Sequence, residues 1–226
     1  IIDPTTTFTT SSSYEDGHVG KGLDGACNNT FAYFKAGSCA GGVSDVDYGS
    51  ISGIVRLRSS STTNQYAMLS RFHMTFNTDA IPDDALITSG NLSFVLDWAI
   101  DTWEDTHSLT LVEHASASNT SYVQADFNTA NLNGTSVLLA SPVAWDTLSR
   151  NISISDDRTR NYLELTADGM AAVKKVGVTK LALTTLADAR NEEPTWVSNV
   201  EAAISVYGNE ASDNRGPILS VTYRYV

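Results

Sequence analysis

The chain has 226 residues, 42% of them hydrophobic, with no long apolar run. That composition suits one globular unit with a sizeable core and leaves no material for a membrane-spanning helix. A formal net charge of −12 repels nucleic-acid phosphates and anionic membranes, so neither is an expected partner.

The chain opens at Ile1 rather than Met, as expected of a chain that has lost a leader or of one that begins at an internal position, the former being the simpler expectation. Its first ten residues, IIDPTTTFTT, are β-branched and almost uncharged, and the polar run SSSYEDGHVGKGLDG follows. This predicts an extended N-terminal strand and tether over residues 1–20, with a single β-sandwich domain over residues 21–226. Ile1, Ile2, Thr5, Thr7 and Phe8 are then candidate assembly residues that leave their own domain and complete a neighbour's sheet. The competing expectation is that residues 1–10 are the first strand of their own sandwich.

Cys27 and Cys39 lie close together in a Gly-rich stretch. They read either as a local disulfide closing a loop or as two free thiols, and no CxxC or nearby His suggests zinc. Between them NTFAYFK, residues 29–35, has the aromatic content of a strand, and ISGIVRL at 51–57 is strand-like as well.

The clearest periodicity is QYAMLSRFHMTFN. Tyr66, Met68, Phe72, Met74 and Phe76 fall on one face and Arg71, His73 and Thr75 on the other, as in a half-buried strand. IPDDA is a turn built on Pro82, Asp83 and Asp84. Leu92, Phe94, Leu96 and Trp98 alternate next, so Trp98 is expected in the core, and HSLTLVEH follows with Leu109 and Leu111. Residues 121–134 break the rhythm as a short helical turn or a surface connection. SVLLASPVAW, NISIS, NYLEL, TKLALTTL, AAISVYG and PILSVTYRYV read as further short strands. Only residues 166–177 show a helical pattern, capped by Thr166 or Asp168, striped by Met170, Val173 and Val176, and closed by Gly177. Many strands and one short helix give an all-β fold, a jelly-roll-like antiparallel β-sandwich.

From residue 66 to the C-terminus the order of elements resembles the DNRLRE-like domains, a β-sandwich family of bacterial surface proteins and phage structural proteins. The likeness is carried by RFHMTFNTDAIPDDALITSGNLSFVL, ASNTSYVQADFN, NYLELTADGMAAVKKVGVTKLAL, NEEPTWVS and DNRGPILSVTYRY. It covers about two thirds of the chain in fold-level motifs, and it implies a non-enzymatic module displayed on a cell, a fibre or a virion.

Motifs for chemistry are thin. GKGLDG, residues 20–25, satisfies G-x-G-x-x-G by letter but precedes a strand-like run rather than a helix. His18, His73, His107 and His114 are scattered, and His107 and His114 are expected on opposite faces of a strand. No nucleophile elbow or SxxK motif occurs, so no catalytic residue and no bound cofactor is expected. Asp45 with Asp47, Asp97 with Asp101 and Asp105, Asp156 with Asp157, and Glu192 with Glu193 offer hard oxygens, and a structural Ca²⁺ is the one metal they could take. Sequons start at Asn28, Asn91, Asn119, Asn133 and Asn151, candidate N-glycosylation sites in an exported chain. Trp103, in a polar loop, is the aromatic expected at the surface and the candidate sugar platform.

These features place the chain outside the cell or on its surface, alternatively on a virion. The function expected is a non-enzymatic structural subunit of an extracellular filament or fibre, with copies of itself as partners in a homopolymer. A capsid decoration or tail-fibre protein and a glycan-binding module are the alternatives.

Overall fold

A computed structural model describes residues 3–10, 16–22, 27–39, 41–45, 52–103, 107–128, 137–149, 159–209, 211 and 214–225. In chain order the strands are β1 (Thr5–Thr9), β2 (Asp16–Lys21), β3 (Gly41–Asp45), β4 (Ser52–Ser59), β5 (Tyr66–Asn77), β6 (Ala85–Phe94), β7 (Leu96–Asp101), β8 (Ser108–Glu113), β9 (Val143–Ala144), β10 (Asn161–Glu164), β11 (Val178–Thr185), β12 (Glu201–Tyr207) and β13 (Ile218–Tyr225). Three short helices interrupt them: α1 (Phe31–Lys35), α2 (Ala167–Ala172) and α3 (Leu186–Arg190). The fold is an all-β antiparallel sandwich, as its alternation and turn chemistry imply.

One sheet has four strands in the order β1-β13-β6-β10. The other has nine, running β7-β12-β4-β5-β11-β8-β9 with β2 and β3 added beside β5. Phe72, Met74, Phe76, Leu92, Phe94, Leu111, Leu181, Leu219 and Val221 belong to the main core cluster, to which both sheets contribute. Trp145 is buried there too.

Four elements depart from expectation. The expected single helix is joined by two others. NTFAYFK is a helix over its last five residues rather than a strand. The Thr30 side chain accepts from the Tyr33 N–H, and Phe31 and Phe34, three positions apart, are both buried while Tyr33 is exposed. The predicted helix over 166–177 stops at Ala172. Val173 is already extended, so Val176 is not part of an apolar stripe and stands exposed. The polar run after residue 10 conceals β2, which is buried along its whole length between β3 and β5. β5 itself is buried on both sides rather than one, so Arg71, His73 and Thr75 lie in the interior.

Cys27 and Cys39 form a disulfide with Cα atoms 5.9 Å apart, which settles the choice between a bridge and two thiols. It encloses α1, whose Phe31 and Phe34 join Cys39, Tyr66, Trp103, Tyr122 and Phe127 in a second buried cluster. Among the described residues no helix is long and apolar enough to cross a membrane.

Candidate functional site

The candidate assembly strand lies in its own chain's sheet. β1 runs antiparallel to β13, from Thr5 opposite Thr222 to Thr9 opposite Ile218. The choice left open by sequence therefore falls, within a single chain, on a first strand of its own sandwich. Tyr223 N–H donates to the Pro4 carbonyl at 3.1 Å, and alternation along an antiparallel pair then directs the main-chain groups of Thr6 and Phe8 toward β13. Phe8 is the one β1 side chain in the main core, and the side chains of Thr5, Thr7 and Thr9 are exposed. Thr5 and Thr222 also touch through their hydroxyls, 2.9 Å apart. Beyond β1, Thr10 is buried and donates to an Asp16 carboxylate oxygen at 2.5 Å, and that oxygen also accepts the Asn209 N–H at 3.0 Å. The connection between the two strands thus spans residues 11–15. Ile1 and Ile2 lie outside the described residues.

β1 stands at a sheet edge, held by its ladder to β13, by Phe8 in the core and, just past its end, by the bond from Thr10 to Asp16. Removing it would bare the β13 edge and the hollow occupied by Phe8.

No family model matches this chain, and no curated protein matches it.

The other site residues scatter. Trp103 is buried, 6% exposed, with its indole N–H donating to the Thr195 carbonyl at 2.9 Å, so it is an anchor and not a platform. Trp98 is 36% exposed instead. A bulge in the pairing of β7 with β12 shifts the register between Ser205 and Val206, and the core alternation from Leu96 does not continue to Trp98. Leu96 and Ala99 pack in the main core, whereas Trp98 and Ile100 are exposed. The Arg56 guanidinium stands 6.0 Å from the Trp98 ring centre, and its Nε is 2.8 Å from a Glu201 carboxylate oxygen. Trp98, rather than Trp103, is thus the tryptophan with an exposed ring face.

His73 of β5 and His114, the residue after β8, are stacked with ring centres 4.3 Å apart. Tyr122 meets both rings edge-on, at 5.4 and 5.8 Å. His114 Nδ1 accepts the Ser116 N–H, which leaves Nε2 to donate to the Met74 carbonyl at 3.3 Å. Burial, the neighbouring His114 and the Arg71 charge hold His73 well below the usual imidazole range. His114 is pushed down to about 3, by burial first and with Lys180 adding to it against the Met74 hydrogen bond. His18 is lowered to about 4 by burial and by Arg56. His107 packs against Trp103 at 5.0 Å, away from the pair.

Behind β5 lies a hub that sequence reasoning missed. Asp188 of α3 is fully buried and accepts from Arg71 Nε at 2.6 Å, Arg71 Nη2 at 2.9 Å, Lys35 Nζ at 2.6 Å and the Thr184 hydroxyl at 2.6 Å. Burial alone would push the Asp188 carboxyl up. The Arg71 and Lys35 charges and their hydrogen bonds outweigh it and hold Asp188 well below the usual carboxylate range. Arg71 also donates to the Phe127 carbonyl and stacks on the Phe127 ring at 4.0 Å. The hub ties β5, α1, α3 and the 3-10 turn Gln124–Asn128 together around a carboxylate held as its anion.

Among the described residues no group of three or more His, Cys, Asp or Glu side chains could hold a metal ion. Of the acidic sets, Asp47, Asp105, Asp156 and Asp157 lie outside the described residues. Of the sequons, Asn28 and Asn119 lie in described loops, Asn91 sits within β6, and Asn133 and Asn151 lie outside.

Proposed function

We propose that this protein is a non-enzymatic structural subunit of an extracellular filament or fibre, in which β1 of one copy completes the four-stranded sheet of the next. The observation that carries this reading is the place of β1 at a sheet edge. Its ladder to β13 and its Phe8 anchor are made by residues that a neighbouring copy would supply unchanged. Head-to-tail exchange whose rotation does not close on itself gives a polymer. The local disulfide suits an oxidising compartment. The likeness to the DNRLRE-like domains belongs to the same reading, as does a virion fibre, which would use the same strand.

The pair Thr5 and Thr222 provides the test, because their side chains meet across the ladder. A chain carrying Thr5→Cys and Thr222→Cys, oxidised under conditions where particles form in negative stain, is expected to give a ladder of covalent multimers on a non-reducing gel. Covalent monomers alone would overturn strand exchange.

Glycan binding is a second reading, favoured by the exposed Trp98 beside Arg56 and Glu201. A flat indole suits a pyranose face and the ion pair offers hydrogen-bond donors and acceptors to its hydroxyls. Binding on a glycan array is expected to disappear in Trp98→Ala and to survive in Ile100→Ala. An array without hits removes this reading.

A further inference from the structure

We infer that the outer edge of β1 is a self-association surface that pairs antiparallel with β1 of a second copy. The same parity that turns Thr6 and Phe8 toward β13 turns the N–H and C=O groups of Thr5, Thr7 and Thr9 away from it. β1 ends its sheet, and no described strand pairs with it on that side. Three residues in alternation therefore hold a row of donors and acceptors that no described strand takes up.

Edges of this kind are normally blunted by charge, proline, bulges or brevity. Every other edge among the described residues has such a guard. β7 pairs through a bulge and carries Asp97 and Asp101. β10 has only four residues, with an exposed Glu164 at its end. β9 has two residues, and β3 opens on two glycines and ends in Asp45. β1, TTTFT, has no charge, no internal proline and an unbroken register.

The occupant is a second copy because the edge is complementary to itself. With Thr7 opposite Thr7 across a two-fold axis, Thr5 falls opposite Thr9, and every outward N–H meets an outward C=O. The threonine side chains then continue one hydroxyl-bearing sheet face, with β-branched residues opposed across the new ladder. A partner recognised by charge would not choose this edge, which offers none. The inference does not rest on strand exchange. β1 presents the same edge whether it lies on its own β13 or on a neighbour's, so in a filament this contact would join filaments laterally.

Sedimentation of the full chain over a concentration series tests it. A reversible dimer or larger species is expected, strengthened by added salt because each copy carries −12. Thr7→Pro removes an N–H that β13 does not use, and Thr7→Lys adds the charge that natural edges carry. Each is expected to weaken association about tenfold or more, equivalent to roughly 1.4 kcal/mol. The lysine variant covers the case in which proline unfolds the strand. Thr7→Cys alone is expected to yield a covalent dimer on mild oxidation. A chain that stays monomeric at all concentrations and salts, or Thr7→Lys associating as well as the parent, would overturn the inference. Thr7→Lys associating as well as the parent bears on this edge alone, whereas a chain monomeric at every concentration would count against strand exchange as well, which the Thr5 and Thr222 cross-link reads separately.

Discussion

Replacing Asp188 with Asn is expected to cost the fold about 3–5 kcal/mol, the usual consequence of removing one partner from a buried ion pair. At this chain length each kcal/mol corresponds to roughly 2–4 °C in Tm, so the midpoint should fall by about 6–20 °C. The reason is the arithmetic of charge. Arg71 and Lys35 both spend their charge on one carboxylate, and their side chains are almost wholly buried. Without Asp188 two cations remain in the interior with only neutral acceptors. Asn also loses the strength of the charge-assisted bonds to the guanidinium and to Thr184. Because the hub joins four elements, damage should spread to the cover formed by α1 and the 3-10 turn. The control is a triple replacement, Asp188→Leu with Arg71→Met and Lys35→Met, which removes the charges together. If the loss in the single variant comes from stranded charge, the triple variant recovers much of it in thermal melts. A single variant within about 1 kcal/mol of the parent would show that the hub contributes little.

The sandwich is legible in sequence because its strands alternate and its turns carry Pro, Asp and Gly, which are local signals. What misleads is composition without period. NTFAYFK has β-prone aromatics, yet Phe31 and Phe34 share a face only on a helix, and Thr30 is a helix cap by residue type. α3 has its own signature, Thr185 followed three residues later by Asp188, which begins inside the strand-like TKLALTTL and ends just past it. β2 escapes because DGHVGK has no apolar alternation, and it needs none when both neighbours and both faces are protein. Trp98 faces outward because of one bulge, a defect in pairing that no single strand's sequence reveals, and Trp103 is buried by its own anchor to Thr195 in the second cluster. The hub and the imidazole stack are further from view still. Arg71 and His73 fall correctly on the polar side of β5, but polar residues on an alternating strand imply solvent unless one knows that a second layer covers them. That layer comes from residues more than a hundred positions away in the case of Asp188, and about forty in the case of His114. β1, by contrast, was visible as a strand from its first residues, and only its partner required the fold.

Lowering the pH from 7 to 5 is expected to destabilise the protein strongly, well before any buried carboxylate is protonated. His18, His73 and His114 are all buried and all shifted down, to about 4 for His18 and about 3 for His114. In the unfolded chain each imidazole takes a proton near pH 6.5. Between that value and the lowered folded one, the unfolded state binds more protons than the native state, so stability falls as pH falls. By pH 5 the loss is on the order of 2 kcal/mol for each such group. Asp188 acts in a different window. Its stabilisation is complete above the unfolded carboxylate value of 3.8 and is lost only as pH falls through its lower folded value. The groups around the stack explain why protonation finds no compensation. His73 faces His114, Arg71 and the Tyr122 ring, and His114 has Lys180 nearby, while Asp188 is already committed to Arg71 and Lys35. Urea midpoints at pH 7, 6 and 5 should therefore drop steeply in the parent. His73→Phe keeps a ring against His114 and Tyr122 but removes one titrating group, and its midpoints should drop less steeply. Parallel slopes for the two chains would show that His73 is not part of the acid response, and a flat parent profile down to pH 5 would dismiss the mechanism altogether.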